Sequence, residues 1–242
     1  MYHKTDNRMN YQVITDEALL NEFIQSFLKP CSPDETYYCC LFARSKYAKN
    51  EDGSNKFPHI KTDKGQLRRF LATPDTLLNK IKQLEVPFGA YITKDGEPVP
   101  QEALALYITP NKRSQRKAMF KLIKRLLDIQ ECEGKGFNVN AEAINAIQRS
   151  KSKTDWVDFD IDSKDVDLNE LKNILPLGSY KIVETRGGYH IMVDPEKIDK
   201  TNAPRQWYNM ISQKFTVDQT GDNMIPVVGT HQGGFTPKFI EV

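Results

Sequence analysis

The chain has 242 residues, a net charge of +2, 39% hydrophobic residues and 27% charged residues. That length holds one large domain or two small subdomains with real cores. The charge excludes a uniformly basic nucleic-acid binder, so contact with a phosphate backbone has to come from local basic patches. No apolar run reaches the length of a membrane span, and Met1 to Asn10 is polar, without the apolar core of a signal peptide. The cysteines, Cys31, Cys39, Cys40 and Cys132, form no Cys-x-x-Cys pair. This excludes a zinc knuckle or a disulfide framework and predicts reduced thiols in a cytoplasm.

In chain order, residues 1–14 read as a loose arm. Thr15 is a helix cap, and the helix is predicted through Leu28 with Leu19, Leu20, Phe23, Ile24 and Phe27 on one face. Thr36 to Arg44 reads as a strand. Residues 45–65 are rich in Lys, Asn, Asp and Gly and read as a long mobile loop. Thr73 followed by Pro74 starts a helix to Leu84. Phe88 to Thr93 and Leu104 to Thr109 are predicted strands joined by a turn at Asp95-Gly96.

Arg113 to Ile129 is predicted as a helix with an apolar stripe of Met119, Phe120, Ile123, Leu126 and Leu127. Arg113, Lys117, Lys121 and Lys124, with Arg125, form its basic face, a candidate surface for a nucleic-acid backbone. Glu131 to Asn138 reads as a loop and Ala141 to Arg149 as a short helix capped by Asn140. The polar run 150–153 divides an N-terminal α/β lobe, 1–150, from a second lobe, 151–242.

The second lobe opens on Trp156-Val157-Asp158-Phe159-Asp160-Ile161-Asp162. Strict alternation is the period of a half-buried strand, with Val157, Phe159 and Ile161 inward and the carboxylates sharing the other face. Asp is a poor strand former, and carboxylates so close together repel one another unless cations neutralise them. Mg2+ and Mn2+ prefer such all-oxygen sites. A helix over 167–175 follows, then strands over 180–185 and 189–193 joined by Arg186-Gly187-Gly188 as a tight hairpin. A helix over 204–214 and strands over 224–228 and 237–242 close the chain. The fold class is therefore α+β, and the second lobe is a β-α-β-β-α-β sheet of ferredoxin-like or RNA-recognition-motif-like type.

Two glycines in the hairpin turn let its N–H groups approach a phosphate. Arg186 offers a charged fork, and His190 stands just beyond. The stretch Val217-Asp218-Gln219-Thr220-Gly221-Asp222 supplies a further carboxylate to a metal site begun on the Asp strand. Gly229 to Gly234, with His231, is a flexible polar loop followed by Lys238.

Hydrophobic-Asp-hydrophobic-Asp, a Gly-rich turn ending in His, then hydrophobic-Asp resembles the motif order of the archaeo-eukaryotic primase superfamily. These are the primase-polymerases of plasmids, phages, archaea and eukaryotes. The resemblance covers about residues 154–240. It implies that Asp158 and Asp160 hold divalent metals with Asp218 as third ligand, and that Arg186, Gly187, Gly188 and His190, with Lys238, bind the incoming triphosphate. Asp162 is an additional carboxylate, so the ligand pair is Asp158 with Asp160 or Asp160 with Asp162, and the third ligand is Asp218 or Asp222. Nucleotidyl transfer by two metals fits these residues, since catalysis there is positioning and charge neutralisation without a protein nucleophile.

The expected activity is synthesis of primers or DNA from nucleoside triphosphates on single-stranded DNA during replication. Mg2+ or Mn2+ is the expected cofactor, and the expected setting is the cytoplasm, that of a bacterial host if the chain is phage- or plasmid-encoded. No Walker A loop is present, so a replicative helicase is expected as a separate partner. The rivals are another metal-dependent nuclease or phosphatase, and a non-catalytic nucleic-acid-binding module. The phosphatase is disfavoured because Asp162 or Lys164 stands where an Asp-x-Asp enzyme has Thr or Val. The binding module is disfavoured because its central strand should expose aromatics.

Overall fold

The computed structural model describes residues 9–50, 52–54, 56–60, 65–130, 138–198, 203–204 and 206–242. Strands and helices alternate as an α+β fold. The first half contains α1 (Glu17–Ser26), β1 (Glu35–Ala43), β2 (Gly65–Ala72), α2 (Pro74–Lys82), β3 (Leu104–Ile108), β4 (Arg113–Ser114), α3 (Gln115–Gln130) and α4 (Val139–Gln148). The second contains β5 (Val157–Ile161), β6 (Tyr180–Glu184), β7 (Tyr189–Val193), α5 (Trp207–Lys214), β8 (Gln219–Gly221), β9 (Ile225–Pro226) and β10 (Lys238–Ile240). Among the described residues no helix is long and apolar enough to cross a membrane.

Two antiparallel sheets result. The first runs β2-β1-β3-β9, with β4 also paired to β1, and the second runs β10-β6-β7-β5-β8. In the second sheet β7 is the middle strand, flanked by β6 and β5, with β10 and β8 at the edges, and the hairpin β6–β7 is antiparallel.

β1 is buried along nearly its whole length because both of its faces are covered. Tyr37, Cys39 and Leu41 point to a core with Leu20, Phe23, Leu77 and Ile81, while Tyr38, Cys40 and Phe42 pack with Tyr47, Tyr107 and Ile144 on the opposite face. The period-two alternation of a strand separates the two sets. α1 lies between the sheets. Phe23 and Phe27 stack on each other, and Phe27 stacks on Trp156 with ring centroids 4.7 Å apart. The Trp156 indole N–H donates to the Phe27 carbonyl at 3.1 Å. Val183 and Met192 of the second sheet enter the same core. The outer face of that sheet packs Phe159, Ile161 and Ile191 on Leu171, Ile211 and Phe215.

Several expected elements differ. Residues 10–14 are not loose: Tyr11 and Val13 are buried, and bridges join Asn10 to Pro87 and Ile14 to Thr230. The expectation for residues 1–8 lies outside the described residues, as does most of that for 131–138. Asp16, not Thr15, caps α1, since its carboxylate accepts from the Leu19 N–H at 3.0 Å. Asn138, not Asn140, caps α4 in the same way. The segment 45–65 opens with a 3-10 turn at Ser45–Tyr47 and ends at β2, a strand that the polar positions of Gln66, Arg68 and Arg69 hid from sequence reading. Residues 88–93 form turns rather than a strand, and only Ile92 bridges to Pro98. The expected helix at 167–175 is a 3-10 helix, Leu168–Asn173, capped by Asp167.

Two differences shape the rest of the molecule. The strand expected at 224–228 belongs to the first sheet, where Ile225 and Pro226 pair with Ile108 and Tyr107. The chain therefore crosses back into the first lobe beyond the run at 150–153. That run is itself pinned, for the Ser114 N–H donates to the Ser150 carbonyl and the Ser152 N–H to that of Lys112. The apolar stripe of α3 does not enter a core, and Met119, Phe120, Ile123 and Leu127 are exposed.

Candidate active site in the cleft between the sheets

The carboxylate row begins in the core and climbs out of it. Trp156, Asp158, Asp160 and Asp162 share one face of β5. Trp156 is buried against α1, Asp158 is 0% exposed, Asp160 is half-buried and Asp162 is exposed. The outer part of the row meets residues from both sheets in a cleft of about 380 Å3 lined in part by Asp160, Asp162, Gly187, His190, Asp218 and Tyr47.

Asp160 and His190 are register partners across β5 and β7. The His190 Nδ1 lies 3.0 Å from Asp158 Oδ1 and its Nε2 lies 3.7 Å from Asp160 Oδ1. Burial pulls the His190 pKa down, but the attraction of Asp158, its hydrogen bond, and the charges of Asp160 and Asp162 outweigh that and raise it. The imidazole is therefore biased toward its cationic form, with Nε2 toward the cleft. Asp160 is raised above the ordinary carboxylate range, first by burial, then by Asp158, Asp162 and Asp218 against the opposing pull of His190.

Asp218 reaches the same wall from the segment before β8, where its backbone N–H donates to the Asp160 carbonyl at 2.8 Å. Asp222, the other candidate third ligand, is held elsewhere. Its oxygens take the Arg113 guanidinium at 2.5 Å and the Asn111 amide at 2.8 Å. The geometry assigns the cleft position to Asp218 and makes Asp222 the anchor of the turn that carries it. It also corrects the inner member of the Asp row. Asp158 lies behind the cleft, with Oδ2 buried and without a hydrogen-bond partner, leaving Asp160 and Asp162 as the pair that lines it.

The Gly-rich turn is closed by Thr185, whose hydroxyl accepts from the Gly188 N–H at 3.1 Å while the Thr185 N–H donates to the Gly188 carbonyl at 2.9 Å. Gly188 is required by a close approach, because a Cβ there would lie 1.8 Å from the Ile161 carbonyl oxygen. Gly187 lines the cleft and a Cβ on it would meet nothing within 4 Å. The Arg186 N–H donates to Gln232 Oε1 at 2.8 Å, and its guanidinium stands 5.0 Å from the Tyr47 ring centre.

The facing wall was not foreseen. Arg44 and Lys46 stand 5.5 and 5.6 Å from the same Tyr47 ring, so three cations surround one aromatic side chain. Arg44 donates to the Tyr107 hydroxyl at 2.7 Å, and Gln232 donates to that of Tyr47 at 2.9 Å. The signal available was the Arg-Ser-Lys-Tyr run directly after an apolar strand, obscured by the loop-like composition that follows it.

Other expected contacts fall outside the cleft. Lys238 sits on the edge strand β10 with its ammonium 3.4 Å from Glu184. His231 accepts from the Gly234 N–H at 3.0 Å and does not line the cleft. Arg113 is 3% exposed and bound to Asp222, so it cannot meet a nucleic-acid backbone. Lys117 donates to the carbonyls of Lys151 and Ser152, and Lys121 to that of Arg149, while Lys124 is exposed. None of these lysines lines the cleft.

Asp160, Asp162 and Asp218 offer hard carboxylate oxygens suited to a divalent cation. Among the described residues no three His, Cys, Asp or Glu side chains are gathered tightly enough to enclose an ion. Asp162 and Asp218 line the cleft but are exposed to solvent. Comparisons of this chain with protein-family models, with curated proteins and with solved structures find no match.

Proposed function

We propose that this protein is a template-directed nucleotidyltransferase of the primase-polymerase kind, joining nucleoside triphosphates on single-stranded DNA. One observation carries the reading: three separate sequence segments, the Asp strand, the Gly-Gly-x-His hairpin and the Val-Asp turn, converge on one cleft. The cleft also has walls of opposite character. Carboxylates line one side, and Arg44, Lys46 and Tyr47 line the other. A polyphosphate with its counter-ion needs both.

In this reading Asp160, Asp162 and Asp218 hold Mg2+ or Mn2+. The bound ion would supply activation of the attacking hydroxyl and neutralisation of the leaving pyrophosphate. Asp158 fixes the His190 ring and favours its charged form, so that Nε2–H donates to a phosphate oxygen. The open side of Gly187 admits the phosphate chain, and Arg186 on the same turn balances its charge.

The test is incorporation of labelled nucleotides on single-stranded DNA with Mn2+ or Mg2+, with and without a primer. The wild-type chain should incorporate. Asp160→Asn and Asp218→Asn should each lose activity by a factor on the order of 100 or more, the scale at which single groups that stabilise transition-state charge act. Absence of incorporation across templates, primers and both metals would overturn the reading.

A further inference from the structure

α3 is a 16-residue helix that presents its apolar stripe to solvent. Met119 is 52% exposed, Phe120 62%, Ile123 47% and Leu127 61%, and Val139 at the start of α4 adds a further 52%. Spacings of three and four residues place the α3 side chains in one column, headed by Arg116. The helix is anchored through Ala118, which is buried. The lysines at 117, 121 and 124 run along one edge of the column. A contiguous exposed apolar face of this kind marks an interaction surface.

We infer that this face docks an amphipathic helix of a partner protein, with a matching apolar stripe and acidic residues that meet Arg116 and Lys124. Charge complementarity selects this occupant. α3 carries five basic residues against the single acidic Asp128. Lys117 and Lys121 donate to backbone carbonyls and Arg125 pairs with Glu142 at 3.5 Å, so Arg116 and Lys124 are the cations left to face a partner among the described residues. A second copy packed antiparallel on the same face would bring the two lysine edges together on one side, a like-charge juxtaposition that disfavours pairing. A nucleic acid is less well matched, because stacking on bases needs ring faces and Phe120 is the one aromatic in the column. Three or four turns of partner helix, roughly 20 Å, cover the stripe, as in helix-in-groove recognition. This surface is separate from the cleft, which no residue of α3 lines.

The experiment uses the full chain and two synthetic helical peptides with the same apolar stripe, one edged with Glu and one with Lys. Binding is read by fluorescence anisotropy at low and moderate salt. The Glu-edged peptide should bind at least tenfold more tightly. Phe120→Ser with Ile123→Ser should abolish that binding, and Arg116→Glu with Lys124→Glu should reverse the preference. Circular dichroism melting of each variant checks that the fold is kept; because the substituted side chains are exposed, the melts should be unchanged. Equal or absent binding of both peptides would overturn the proposal. So would a wild-type dimer in sedimentation that the serine pair dissolves, or single-stranded DNA affinity that the serine pair removes while peptide binding stays unmoved.

Discussion

His190 and Asp158 form a buried pair with Nδ1 and Oδ1 3.0 Å apart, behind the wall that Asp160 presents to the cleft. The pair makes Asp158 a support for the ring, which separates its mutational signature from that of its neighbours. Asp158→Ala leaves the buried His190 Nδ1 without its hydrogen-bond partner and should cost about 1–3 kcal/mol of stability. Asp158→Asn keeps a hydrogen-bond acceptor and should cost less than half as much, while removing the anion that favours the charged ring. Urea unfolding of the two variants beside Asp160→Asn checks this, and equal losses for alanine and asparagine would refute the buried-pair assignment.

The two glycines of the hairpin should respond in opposite ways. Gly188→Ala drives a methyl into the Ile161 carbonyl and should destabilise by about 1–3 kcal/mol or more through backbone displacement, in the range of overpacked sites. Gly187→Ala has open space and should leave the melting temperature within about 2 °C, while narrowing the cleft and weakening triphosphate binding several-fold. Thermal melts together with a nucleotide titration distinguish them. A stable Gly188→Ala protein would mean that the turn does not abut β5.

The Arg113–Asp222 ion pair fixes the turn that carries Asp218. Asn111 completes the network, accepting from the N–H groups of Asp155 and Trp156 and donating to the Trp156 carbonyl and to Asp222. Asp222→Ala should destabilise by about 3–5 kcal/mol, because it strands the buried Arg113 charge, and Arg113→Ala by less, because the Asp222 carboxylate left behind is partly exposed and keeps Asn111. The double variant should lose less than the sum, with a coupling on the order of 1–3 kcal/mol in a double-mutant cycle. Strict additivity would show that the two side chains act independently.

Glu35 carries an acid-sensitive part of the stability. Burial pushes its carboxyl up, but hydrogen bonds from Ser152 and Ser32 and the Lys112 charge outweigh burial and leave it below the ordinary glutamate range. A carboxyl lowered on folding stabilises above its unfolded value, and that contribution disappears as the pH falls through the folded value. Glu35→Gln should therefore cost about 1–2 kcal/mol at neutral pH and little once the pH lies below the folded value, flattening the stability profile between. Parallel wild-type and variant profiles across that window would remove Glu35 from the acid response.

Local pattern was enough to place what lies within one element. The alternation of residues 156–162 assigned Asp158, Asp160 and Asp162 to one face of a strand, and the close pair of glycines before Tyr189 located the hairpin, because side-chain direction repeats every two residues in any strand. Thr73-Pro74 likewise located the start of α2, whose capping box joins Thr73 and Thr76. Depth along a face and the choice of sheet partner are different in kind, since both depend on what folds back from far along the chain. α1 lies against the inner end of β5, so Asp158 is enclosed while Asp162 meets water. Ile225 pairs with Ile108 rather than with the Asp strand, which carries Asp218 to the cleft and leaves Asp222 to Arg113. Strand preference reflects packing more than backbone, so the mixed residues 65–72 form a strand once β1 lies beside them and the apolar 88–93 do not. Helical periodicity showed that α3 is amphipathic, but only the tertiary structure shows that no part of the described chain covers Phe120 and Leu127.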